Sequence, residues 1–341
     1  MAKKSTGDGV EHRRRLREYQ KTNKELREDL NSANAELKLV SEMNKYYESN
    51  ANTLRTMKAI KVDRTKPKKE EQGTVISLLS DIHAESKITL EQTNGFNKFN
   101  PGICEQRLEH YFKNFITLVK LTRRGITLDN CVIGLLGDII HGFIHEEYLR
   151  TNYMTPVQAS IWITDILVEG FKFILEHGKF RNITVICKIG NHSRTTNKIY
   201  SDEEALHSYE WAIYNALAKA IPEIKWVISE SYFTYLKVYD KMLRFHHGHA
   251  FRYMGGIGGI YIPLMRFIAK VNRQIKADMD FIGHWHTRDA LSSGACIMNG
   301  SICGANPYSI RLGFPAEEPT QQFQILDSNR GFTINAPIVL E

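Results

Sequence analysis

The chain has 341 residues, of which 42% are hydrophobic, and a formal net charge of +7. That is enough to bury one large α/β core with an appendage, and too apolar for a disordered or fibrous chain. No run of about 18 apolar residues occurs and Met1 to Val10 lacks a signal-like apolar stretch, so a soluble cytoplasmic protein without a membrane contact is expected. Cys104, Cys131, Cys187, Cys296 and Cys303 form no CxxC pair, which excludes a disulfide framework and a thiolate zinc site.

The charge is concentrated at the start: residues 1–72 hold 18 Lys or Arg against 12 Asp or Glu, and the remainder 27 against 26. A basic appendage on a nearly neutral body suits a polyanionic partner, nucleic acid first, or is simply a solvated charged helix. Within residues 1–60 a heptad seam runs through Leu16, Tyr19, Asn23, Leu26, Leu30, Ala33, Leu37, Val40, Asn44, Tyr47, Ala51 and Leu54. The spacing predicts a helical coiled-coil arm roughly 60 Å long. Asn23 and Asn44 fall at positions where a buried Asn sets register, so the arm predicts a homodimer, the alternative being a helix packed on its own body or on another protein. Residues 61–73, rich in charge and containing Pro67, read as a linker, and residues 74–341 as the globular domain.

In that domain short apolar runs alternate with helical patterns, the order of a layered α/β fold. Strands are predicted at 74–80, 131–136, 183–189, 232–239, 242–246 and 279–282, and helices at 104–122, 156–177, 202–220 and 260–275. Residues 295–303 and 321–326 are expected to complete a second sheet.

Polar clusters stand at five predicted strand ends: Asp81 and His83 in SDIH, Asp138 in GDIIH, Asn191 and His192 in GNH, His247 in HHGH, and His284 and His286 in GHWH. Singly, each reads as a turn or a surface pair. Together they supply oxygen and imidazole donors for two divalent ions, projecting from the strand ends where open α/β sheets build their sites.

The order D-x-H, G-D, G-N-H, H-G, G-H-x-H resembles the calcineurin-like metallophosphoesterase superfamily over about residues 74–300. The resemblance implies a four-layer αββα sandwich and two metals, the first on Asp81, His83, Asp138 and His286, the second on Asp138, Asn191, His247 and His284. It also implies a hydroxide bridging those metals as the group that attacks phosphorus, so no protein nucleophile is needed. His192 would face the scissile phosphate, and His141 matches a position that orients the catalytic imidazole in nuclease-like members. The stretches GDIIHGFIHEEYLRTNYMTP, GNHSRTTNK and GHWH with NGS are similar to phosphoesterases encoded by phages and prophages, which points to a bacterial or phage-infected cell.

Among the three adjacent histidines, His247 is taken as the ligand from the family pattern, and His249 as a substrate-side or supporting donor. Arg194 and Lys198 follow Asn191 closely enough to reach phosphate oxygens, or are solvated loop charges. The amide-rich loop 92–101 suits base contacts or turns. The function expected is a metal-dependent phosphodiesterase cutting DNA or RNA. A phosphomonoesterase or small-nucleotide phosphodiesterase would use the same ligands, and a scaffold with a vestigial site is the non-enzymatic alternative. Manganese is the expected metal, with iron or zinc compatible with the donors.

Overall fold

The computed structural model describes residues 72–341 apart from 253–258, 292–294 and 315, with the backbone of 60–62 and scattered helical positions between 23 and 38. In the N-terminal unit the described residues of the seam, Asn23, Leu26, Leu30 and Leu37, are helical, and the three leucines are exposed. The other seam positions and residues 63–71 of the expected linker lie outside the described residues.

The larger unit runs β1 (Ile60–Val62), β2 (Gln72–Leu79), α1 (Pro101–Thr122), β3 (Thr127–Leu135), α2 (Tyr148–Thr151), α3 (Pro156–Gly178), β4 (Asn182–Cys187), α4 (Tyr209–Ala220), β5 (Lys225–Ile228), β6 (Thr234–Val238), β7 (Lys241–Phe245), α5 (Tyr261–Val271), β8 (Met279–Ile282), β9 (Asp289–Ala290), β10 (Cys296–Met298), α6 (Pro307–Arg311), β11 (Thr320–Asp327) and β12 (Gly331–Val339). They form two six-stranded sheets, ordered β12-β11-β2-β3-β4-β5 and β1-β6-β7-β8-β10-β9. Strands β2 to β5 are parallel, as are β7, β8 and β10. β1 pairs with β6, so the second sheet takes in Lys61 and Val62 from the start of the expected linker.

Three apolar clusters define the layers. Ile76, Leu78, Val132 and Ile186 of the first sheet meet Leu236, Leu243, Phe245 and Phe281 of the second, so the sheets pack face to face. The other face of the first sheet is covered by Leu108 and Phe115 of α1, Ile163 and Phe171 of α3, and Ile213 and Leu217 of α4. The outer face of the second carries Leu264 and Ile268 of α5. The result is the helix, sheet, sheet, helix sandwich that the resemblance implies. Strands buried on both faces read as continuous apolar runs rather than alternating ones, which is why β2, β3 and β4 stand out in the sequence.

Local chemistry sets the helix starts. Asn100 accepts from the Ile103 amide ahead of Pro101, and Thr155 with Gln158 forms a capping box ahead of Pro156. α4 begins at Tyr209 rather than at 202, because Ser208 accepts from the Glu210 amide and caps it there. The sequence reading also passed over β5 and β12. Strand β12 sits at a sheet edge, where Pro337 is tolerated because no further strand needs its amide.

Candidate metal centre

The chain leaves the ends of β2, β3, β4, β7 and β8 on one side of the paired sheets, and the loops there are tied to one another by backbone bonds. Asp81 N donates to Gly137 O at 3.0 Å, His83 N to Asp138 O at 3.0 Å, Gly283 N to His247 O at 2.9 Å and Ile302 N to Asp81 O at 3.1 Å. Asp81, His83, Asp138, His284 and His286 all take positive φ, between 48° and 71°. For residues with a Cβ this conformation costs on the order of 1–2 kcal/mol each, and such strain gathers at functional sites. Two glycines permit the closest approach. Gly137 takes φ 90° beside Gly190, and a Cβ on Gly190 would lie 2.0 Å from Asp138 Oδ1.

Seven predicted ligands converge. Asp81, His83 and Asp138 present ligand atoms within 4.8 Å of one another, and so do Asp138, His247 and His284. His286 Nε2 lies 3.1 Å from His83 Nε2 and 3.5 Å from Asp81 Oδ1, completing the first group. Asn191 Oδ1 lies 3.2 Å from His247 Nε2, completing the second. Asp138 Oδ2 belongs to both, at 3.9 Å from His83 Nε2 and 3.1 Å from His247 Nε2.

The donor set fits divalent cations on its own chemistry. His247 Nδ1 is committed to the Leu136 carbonyl at 2.6 Å, which turns its other nitrogen toward Asp138 and Asn191. His247 Nε2 thus lies within 3.2 Å of both Asp138 Oδ2 and Asn191 Oδ1. His284 Nδ1 is buried with no hydrogen-bond partner, an orphan that a bound cation would satisfy. Burial opposes protonation of His83, and His192 beside it adds to this, so its pKa falls well below 6.5. Burial and the neighbouring His247 do the same to His284. Both are therefore neutral, as metal-binding imidazoles must be. Burial disfavours the Asp138 charge, but His247 and His192 hold this carboxyl well below the usual range. Reciprocally, Asp138 overrides burial and raises His247 to about 9.

His192 and His141 lie against the first group. The His192 ring centroid is 4.6 Å from that of His83, its amide donates to Asp138 Oδ1 at 2.9 Å, and its Nδ1 meets the His141 carbonyl at 3.0 Å. His141 thus orients His192 through its backbone, and by stacking at 4.9 Å, while its own Nδ1 faces His83 Nδ1 at 2.9 Å. Burial lowers the pKa of both rings.

The expected substrate-side residues are placed differently. Arg194 donates to the carbonyls of Asn191, Thr196 and Asn197, so its guanidinium holds its own loop in shape. Lys198 is exposed in that loop. His249 pairs with Glu204 at 2.8 Å, with its ring 5.4 Å from that of His247, and its Nδ1 is buried without a hydrogen bond.

Several supporting residues were not singled out in the sequence. Glu210 accepts from the Ile139 and Gly190 amides, each at 2.7 Å, and joins the loops of Asp138 and Asn191. Glu85 accepts from the His141 and Gly142 amides at 2.8 and 2.7 Å. Burial raises these carboxyls to about 8 and about 7. Beneath Asp81, Ser80 donates to its Oδ2, while Asn299 and Gln321 complete a buried network around Ser80. Behind His247, Arg244 and Asp280 form a fully buried ion pair, to which His246 adds a contact at 3.3 Å. Among the described residues no helix is long and apolar enough to cross a membrane.

The sequence matches no protein-family model and no curated protein. Solved structures with a similar chain path include a hypothetical protein from Pyrococcus horikoshii, at 12% identity and TM-score 0.39, over 79% of this chain and 89% of that one. A Streptococcus pneumoniae protein predicted to be a phosphoesterase is 11% identical, at TM-score 0.27, over 78% of this chain and 97% of that one. The sulfate thiohydrolase SoxB of Thermus thermophilus is 7% identical, at TM-score 0.36, and the aligned region spans 81% of this chain but only 58% of SoxB.

Proposed function

We propose that this chain is a two-metal phosphoesterase acting on the phosphodiester bonds of DNA or RNA. The observation that carries the hydrolase reading is the sharing of Asp138 Oδ2 between two donor groups, 3.9 Å from His83 Nε2 and 3.1 Å from His247 Nε2. Asp81, His83, Asp138 and His286 would hold one cation, and Asp138, Asn191, His247 and His284 the other. Bound there, the pair would act as Lewis acids toward a phosphate ester and lower the pKa of water.

The remaining work falls to the chain's own residues. With Nδ1 engaged by the His141 carbonyl, His192 has Nε2 left to exchange a proton with a phosphate or its leaving oxygen. Burial keeps the ring neutral near pH 7, so it begins as an acceptor. Glu85 and Glu210 hold the loops in position, which maintains the separation of the two donor groups.

Nucleic acid as substrate is supported by the 18 basic against 12 acidic residues of positions 1–72, which suit phosphate contacts. The rival is a monoesterase or small-nucleotide phosphodiesterase, since the metal ligands do not distinguish these substrates. The test is hydrolysis of single- and double-stranded DNA, RNA, p-nitrophenyl phosphate and its bis ester with manganese, with Asn191→Ala as the control. Polynucleotide cleavage that is lost in Asn191→Ala is the expected result. Turnover confined to the monoester would overturn the nuclease reading, and no turnover of any ester would overturn the hydrolase reading.

A further inference from the structure

Beside His141 and His192 lies a cavity of about 210 Å³ that the metal chemistry does not use, lined by Gly142, Tyr148, Asn152, Tyr153, Met154 and Pro156 among others. It adjoins the reacting region. The Tyr148 ring stacks at 20° and 6.1 Å on His192, and its centroid is 4.1 Å from that of His141. The backbone of Tyr153 is tied to the same loops, its amide donating to Glu85 O at 2.9 Å.

Three features narrow the occupant. The volume falls below the roughly 300–1,000 Å³ of pockets that enclose drug-sized ligands, so it suits a single ring system. Tyr148 and Tyr153 are among its lining residues, and planar π-faces attract other planar rings. Asn152 donates its Nδ2 to Gly142 O at 2.8 Å, which fixes the orientation of the amide and leaves Oδ1 buried with no partner. That oxygen is sealed from the cavity, so Asn152 serves as a fixed part of the wall. Lys87 Nζ stands 5.9 Å from the ring centroid of the lining Tyr153, where a cation could meet a phosphate on the same ligand.

We infer that this cavity is a nucleobase subsite, in which the base next to the scissile phosphate stacks against Tyr148 and Tyr153. The inference rests on the phosphoesterase reading and assigns the group that adjoins the phosphate. Every nucleobase has a planar face, so the subsite favours nucleotides over other phosphate esters without selecting one base.

The test is equilibrium binding of adenosine 5′-monophosphate and ribose 5-phosphate to the full chain with manganese, read by calorimetry. The wild type should bind the nucleotide about tenfold more tightly than the sugar phosphate. Tyr148→Ala should remove most of that preference, and Tyr148→Phe should keep it. If Tyr148→Ala does not fold, the exposed Tyr153→Ala gives the same comparison and should reduce the preference as well. Equal wild-type affinities, or a preference that survives loss of the tyrosine rings, would overturn the subsite. Base-dependent binding without hydrolysis of any ester would sink the phosphoesterase reading and leave the subsite standing.

Discussion

His247 approaches Asp138 at 3.1 Å, Nε2 to Oδ2, in a setting where both side chains are almost wholly buried. Without a cation, a proton on His247 takes the place the cation would fill, which is why its pKa rises from 6.5 to about 9. A raised pKa means this pair stabilises the metal-free fold fully below pH 6.5 and that the contribution is lost as pH rises through about 9. His247→Ala should therefore destabilise chelator-treated protein by about 3–5 kcal/mol at pH 6, and by progressively less toward pH 9. Urea unfolding at several pH values reads this, and a pH-independent difference would contradict it.

Lys188 should behave in the opposite sense. It is buried and lies clear of the metal donors, with its Nζ donating to Ser231 O and to Thr234 Oγ1 at 3.3 Å, and burial depresses its pKa from 10.5 to about 7. Its contribution is then fully present above pH 10.5 and is lost as pH falls through about 7. Relative to Lys188→Met, the wild type should gain stability between pH 7 and 10 by at most about 1.4 kcal/mol per pH unit. The same urea series measures it.

Glu210 spans two loops, and a Gln in its place keeps the shape but presents an NH₂ to one of the two amides. One buried N–H then lacks an acceptor, which costs about 1–3 kcal/mol. Because the loops carry Asp138 and Asn191, Glu210→Gln should lower kcat by tenfold or more while leaving KM for a small ester nearly unchanged. Steady-state kinetics on bis(p-nitrophenyl) phosphate with manganese decides it, and a change in KM alone would count against a positioning role.

Gly190→Ala tests the closest approach. The new Cβ would sit 2.0 Å from Asp138 Oδ1 and 2.3 Å from Asp138 N, so the bridging carboxylate or its loop must move. Two metal ions per chain should bind to the wild type and fewer than two to the variant, as read by elemental analysis after dialysis. Full occupancy in the variant would mean that Asp138 is not the shared ligand.

The clustering of these Asp, Asn and His side chains was legible because each follows an apolar run read as a buried strand, while their proposed role as metal ligands came from the resemblance in motif order. Their supports were hidden. Glu210 looks like a solvent-facing helix residue, yet it is spaced with Ile213, Tyr214 and Leu217 on the buried face of α4, and that register could have exposed it. Arg194 read as a phosphate contact or a solvated loop charge, because local composition cannot reveal that it donates to three carbonyls of its own loop. The early helix start at 202 failed for a related reason: polar residues before Ser208 continue a plausible helix until the cap is recognised.

The left-handed turns at Asp81, His83, Asp138, His284 and His286 leave the protein with an evolutionary liability. At each of them glycine would relax the main chain, and it would also remove a side chain that the proposed metal centre uses. Under the two-metal reading, backbone ease at these five turns and retention of the ligands pull in opposite directions.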